Sequence, residues 1–248
     1  MKTAGEIKEY YDEFAKSTFL RDFRILNPRH QAIRKLCDRF IAPGARVLEI
    51  GCGAGIISKY LEARVSSLVG VDISETAIKM AKLYVNGGKC EFRVLDVTGD
   101  ASDLNRYEKF DAILMPDVLE HIPKARQREL FARLEKLLGP RGVVLITYPS
   151  PEYQEYLRRH RPELLQVVDE TLRLSEILAI TSLRPAFFSY VDAGEKNQYV
   201  HLVLAAAADY SPESLPIGCA GRVVRRARKI LWRFHNQAFL RKVKKNVL

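Results

Sequence analysis

Between Val47 and Tyr148 the chain alternates short β-rich runs with helical stretches, and this rhythm restricts the fold more than any other feature. Val47–Ile50, Ser67–Val71, Cys90–Leu95, Phe110–Met115 and Gly142–Tyr148 read as strands. Ile56–Ala63, Glu75–Tyr84 and Gln127–Leu138 read as the helices between them, the last ended by Gly139-Pro140. Strands that alternate with helices imply a parallel sheet covered on both faces and joined by right-handed crossovers. Two further runs, Ala186–Val191 and Tyr199–Ala206, are separated by a segment too short for a helix, so they read as an antiparallel hairpin at one edge. Residues 150–173 form a long connection leaving the carboxyl end of the fifth strand, followed by a helix near 174–182. Ligands of open α/β sheets bind at that end. Upstream, Ile7, Tyr10, Tyr11 and Phe14, then Ala32, Ile33, Leu36, Cys37 and Phe40, recur at helical spacing. Residues 1–42 therefore read as a helical cap and 43–209 as the main domain.

The first strand runs into Gly51, Gly53 and Gly55 before a helix, a turn whose backbone can approach a ligand closely. The dinucleotide fingerprint needs glycine at 56, where this chain has Ile56. Glu49, two residues before the first glycine, suits a cationic ligand better than a pyrophosphate. The second strand ends in Asp72, placed to accept both hydroxyls of a ribose, with Ile73 beside it for an adenine ring. The third ends in Asp96-Val97, where a carboxylate can take the adenine amino group.

These residues make the sequence resemble a class I S-adenosylmethionine-dependent methyltransferase, with its Rossmann-like seven-stranded α/β sheet. The likeness implies S-adenosylmethionine as cofactor, held by Glu49, Gly51, Cys52, Gly53, Asp72, Ile73, Asp96, Val97 and Met115. The segment Met115–Pro123 and the upstream Leu26-Asn27-Pro28-Arg29 resemble the ubiquinone-biosynthesis type of O-methyltransferase, a likeness that implies Arg29 for the cofactor's carboxylate. Asp117, Glu120 and His121 are spaced to share one face of a helical turn. That face has three readings: ligands for Mg²⁺, a proton acceptor in His121, or residues that only fix the loop. Asp117 and His121, with Asp169 in the long connection, are the catalytic candidates. The absence of an N-P-P-Y-type segment after the fourth strand favours an oxygen over a nitrogen acceptor. Tyr148, Tyr153 and Tyr156, among arginines and carboxylates, suit a hydroxyl-rich small molecule such as a sugar or natural-product intermediate.

The net charge of +10 is concentrated at the end: residues 210–248 hold ten of the 40 Lys and Arg and one of the 30 acids. Val223, Ala227, Ile230, Leu231 and Phe234 form an apolar stripe in this basic tail. Three fates are open to it: packing on the domain or a second copy in a homodimer, docking on an anionic membrane surface, or contacting nucleic acid. A lipid-linked or RNA acceptor would follow from the last two. The four scattered cysteines indicate neither zinc nor a disulfide framework, and the charged start lacks a signal-peptide core. The expected location is the cytoplasm, with a peripheral contact to the inner membrane face as an option.

Overall fold

The computed structural model describes residues 4–24, 27–100, 102–194, 197–207 and 210, with 241, 243, 245 and 247 near the C-terminus. Strands β1 (Arg46–Ile50), β2 (Ser67–Asp72), β3 (Cys90–Val94), β4 (Phe110–Pro116), β5 (Leu138–Pro149), β6 (Arg184–Val191) and β7 (Tyr199–Ala205) form one sheet. Their order is β3-β2-β1-β4-β5-β7-β6, and β7 alone runs antiparallel to its neighbours. Helices are α1 (Ala4–Arg24), α2 (Pro28–Phe40), α3 (Ile56–Leu61), α4 (Glu75–Tyr84), α5 (Lys124–Leu137), α6 (Pro151–His160) and α7 (Leu174–Leu178). This is the Rossmann-like methyltransferase sheet that the strand–helix rhythm implies.

Alternation along each strand divides the core in two. Val47, Leu68, Phe92, Leu114 and Leu145 face α2, α3 and α4 on one side. Leu48, Val69, Ile113, Val144 and Leu202 face α5 and α7 on the other. The strand order reverses between β1 and β4, so a crevice opens outside their carboxyl ends. Two segments lie at its mouth, the glycine loop after β1 and residues 117–121 after β4. Asn27 caps α2 by accepting from the Arg29 N–H with Pro28 at the first position, and Ser74 and Ser150 cap α4 and α6 in the same way. Helix α1 lies against the start of α4: Asp12 accepts from Ser74 Oγ at 2.6 Å and Thr76 N at 3.0 Å, and Lys8 pairs with Glu75.

Several expectations are corrected. Helix α5 passes directly into β5, so Gly139-Pro140 lies within the strand, at an irregular register between Phe110 and Ala112. That irregularity accommodates a residue with no N–H to give to the ladder. The long connection holds a ten-residue helix, α6, and α7 is shorter than 174–182. The tail stripe from Val223 to Phe234 lies outside the described residues. Farther on, Val243 is buried in the core on the α2 side and Val247 packs against it. No described helix is long and apolar enough to cross a membrane.

Candidate active site

After Ile50 the backbone enters the left-handed region at Gly51 (φ +70°) and again at Gly53 (φ +51°). A Cβ on Gly51 would lie 2.3 Å from Val118 Cγ2, so the loop and the segment after β4 fit together only without a side chain there. Gly53 has open space where its Cβ would be, and its N–H donates to Asp72 Oδ2 at 2.9 Å. The other oxygen of Asp72 accepts from Ser74 N at 2.9 Å. Two backbone donors thus lock this carboxylate in one orientation, and burial raises its pKa.

Glu49 is buried beneath the loop, and among the described residues its side chain hydrogen-bonds only with Ser58 Oγ, at 2.5 Å. Burial, reinforced by Asp72, pushes its carboxyl up to about 8. Cys52 turns its thiol into the core on the α2 side. Ile73 is half-buried beside Asp72. Asp96 is exposed at the end of β3 and accepts from Thr98 N at 2.8 Å and Thr98 Oγ1 at 2.7 Å, while Val97 is buried behind it. Met115, next to the last residue of β4, has its side chain fully buried in the core on the α5 side.

The segment after β4 departs from the helical turn its spacing suggests. Asp117 has φ +55°, an uncommon conformation for a residue with a side chain, and a 3-10 turn follows over Leu119–His121. The three candidate residues therefore do not share one helix face. Asp117 pairs with Arg29 at 2.9 Å and accepts from Thr147 Oγ1 at 2.7 Å, and Arg29 also donates to the Tyr199 hydroxyl at 3.3 Å. Its charge is met by a guanidinium, and among the described residues no group of three or more His, Cys, Asp and Glu is placed to hold a metal ion. The Mg²⁺ reading does not fit, and the observed partners of Asp117 are Arg29 and Thr147.

His121 meets the Val168 carbonyl through Nδ1 at 2.7 Å. A carbonyl only accepts, so Nδ1 carries the proton and Nε2 keeps its lone pair. Burial lowers the pKa of the ring below the ordinary histidine value, favouring this neutral form. Asp169 Oδ1 lies 3.4 Å from Nδ1, on the same side as the carbonyl, so the structure does bring Asp169 and His121 together. Glu120 is buried, and burial followed by the nearby Asp117 pushes its carboxyl well above the usual range. One residue that the sequence reading placed only in the helical cap completes this end. Tyr11 of α1 places its ring 6.2 Å from the His121 ring, edge-on, and burial, with carboxyls of this site nearby, raises the pKa of its hydroxyl.

The comparisons with known proteins fall on these same elements. Residues 25–193 match the family described as methyltransferase domain. The chain belongs to the class I S-adenosylmethionine-dependent methyltransferase family. It is 37% identical over 79 residues to a ubiquinone biosynthesis O-methyltransferase of Nitrosomonas europaea, covering 31% of this chain and 33% of that one. It is 34% identical over 134 residues to the cyclopropane-fatty-acyl-phospholipid synthase of Escherichia coli, covering 52% and 33%. The chain spans about a quarter to a half of the length of the curated relatives it matches. Among solved structures, the magnesium protoporphyrin IX methyltransferase of Synechocystis, with bound S-adenosylhomocysteine, superposes with a TM-score of 0.65 at 17% identity over 83% of this methyltransferase chain and 100% of that one. At that identity the likeness is one of fold.

Proposed function

We propose that this chain transfers a methyl group from S-adenosylmethionine to a hydroxyl of a small polar molecule, a sugar or natural-product intermediate. The observation that carries this reading is His121, neutral, with its proton on Nδ1 and its Nε2 lone pair at the ligand end of the sheet. A hydroxyl nucleophile needs a group within hydrogen-bond reach to accept its proton, and a neutral imidazole suits that task near pH 7. The Val168 carbonyl and Asp169 hold the ring and favour the positive charge it gains.

Bound S-adenosylmethionine supplies an electrophilic methyl on a sulfonium. The residues present suit it. The open face of Gly53 admits close approach, Asp72 is oriented for a ribose, and Glu49 is a buried carboxyl lacking a cationic partner. Asp96 with its second oxygen, Ile73 and Val97 would receive the adenine. The remaining task of the chain is to hold the acceptor oxygen in line, at about 3 Å from the methyl carbon.

The test is incubation of the full chain with methyl-labelled S-adenosylmethionine and cell lysate, followed by fractionation. Label in small polar molecules supports the reading, and label in nucleic acid contradicts it. A lipid-linked acceptor is the second reading, favoured by the relationship to the phospholipid-named synthase, and label in the lipid fraction would replace the first reading with it.

A further inference from the structure

At the acceptor end, the buried Tyr11 hydroxyl, Glu120 Oε2, both amide atoms of Gln154 and Gln166 Oε1 have no hydrogen-bond partner among the described residues. Gln154 and Glu120 are 1% and 2% exposed, so solvent does not satisfy them at the surface. Folded proteins leave few such atoms, and each one carries a desolvation penalty that a hydrogen-bonding ligand removes.

The four side chains come from four separate segments that meet around His121. Tyr11 stacks edge-on to the imidazole, and the Glu120 backbone carbonyl accepts from Glu170 N at 2.8 Å. The Gln166 N–H donates to Asp169, the residue beside His121 Nδ1. Gln154 lies one helical turn before Arg158 on α6, and Arg158 donates to the Asp169 carbonyl and the Thr171 hydroxyl. That face of α6 is therefore turned to the segment that carries Gln166 and Asp169.

Several charged groups around this cluster meet partners within the protein: Arg29 pairs with Asp117, and Arg158 meets the loop. Beside them, and without a hydrogen-bond partner among the described residues, lie a phenol, two amides and a carboxyl whose burial favours its neutral form. Hydroxyl groups, which both donate and accept, match that set.

We propose that Gln154 and Gln166, with Glu120 and Tyr11, form an acceptor subsite that recognises an uncharged, polyhydroxylated molecule by hydrogen bonds alone. This rests on the methyltransferase reading above and narrows its acceptor to a neutral polyol-like class. Gln154, offering a donor and an acceptor together, is the specificity-determining residue, suited to a pair of adjacent hydroxyls.

The test uses the full chain, methyl-labelled S-adenosylmethionine and a small-molecule extract of bacterial cells, with labelled products passed over anion and cation exchangers. The labelled product is expected to pass through both. In Gln154→Leu, label incorporation should fall about tenfold, the size of one lost hydrogen bond. Affinity for S-adenosylhomocysteine should be unchanged, and Tm equal or higher, because an unpaired buried amide has been removed. A packing role predicts the opposite pattern, a lower Tm with normal transfer by the folded fraction. If Q154L does not fold, Gln166→Leu on the loop carries the same expectation. Retention of the product on either exchanger, or wild-type incorporation by the folded variant, overturns the proposal and leaves methyl transfer standing. Label only in lipid or nucleic acid overturns the parent reading as well, so the two failures are distinguishable.

Discussion

The two ends of the crevice are built differently. At the end that suits the cofactor, backbone groups do most of the work: Asp72 is held by the N–H groups of Gly53 and Ser74, and Asp96 accepts from the Thr98 N–H and hydroxyl. At the acceptor end, side chains from distant segments converge, and several of their polar atoms have no partner. The first arrangement follows from the covalent geometry of strand–turn–helix units and is complete in the folded chain. The second stores unsatisfied hydrogen bonding for a ligand. The difference separates a half built from neighbours along the chain from a half assembled from distant segments.

The comparison breaks most visibly at His121. His121→Ala should lower the rate of transfer to a hydroxyl by about 10²–10⁴-fold, the usual yield of a positioned general base, and leave calorimetric S-adenosylhomocysteine affinity intact. An equal loss of cofactor affinity would show that the two ends are not separable. The next largest effect is at the cofactor end. Asp72→Ala removes an ionised acceptor and frees two backbone donors, and should weaken cofactor binding by roughly 100-fold, or about 2–3 kcal/mol.

Glu49 sharpens the contrast through pH. Its pKa in the folded chain, about 8, lies above the ordinary value, so its contribution to stability is full below about pH 4.5 and is lost as pH rises toward 8. A cationic ligand reverses that preference, so S-adenosylmethionine should bind more tightly as pH rises to about 8, with proton release seen by calorimetry in buffers of different ionisation enthalpy. Glu49→Gln should abolish the proton release and weaken binding by about tenfold, while the ligand-free protein melts no lower at pH 8.

A last effect concerns stability in acid. His201 on β7 is buried, which lowers its pKa to about 4 from an ordinary value near 6.5. The unfolded chain binds the extra proton between these values. Stability is therefore full above about pH 6.5 and falls by up to about 3 kcal/mol as pH drops to 4. Denaturant unfolding of His201→Gln should show a shallower acid decline than the parent.

The same contrast explains what could be read from the sequence. Glu75–Tyr84 is the observed helix residue for residue, and Glu49, the glycines and Asp72 lie where strand ends put them, because each depends on neighbours a few residues away. The acceptor end depends on contacts far apart in the chain, such as Tyr11 with His121 and Asp169 with His121. Spacing alone suggested a helical turn at 117–121, and the left-handed backbone at Asp117 together with its Arg29 partner removed the metal reading. Helix α6 did have a local signal in Ser150-Pro151, a cap followed by proline at the first position, but the second proline nearby made the segment read as a loop.

The state of one imidazole tests the account most directly, and it requires no acceptor. In ¹⁵N-labelled protein, long-range ¹H–¹⁵N correlation of His121 at pH 7 should show a protonated Nδ1 and an unprotonated Nε2, because burial lowers the pKa of the ring. A doubly protonated ring at pH 7, or the proton on Nε2, would deny His121 the free lone pair and contradict the proposed transfer to a hydroxyl.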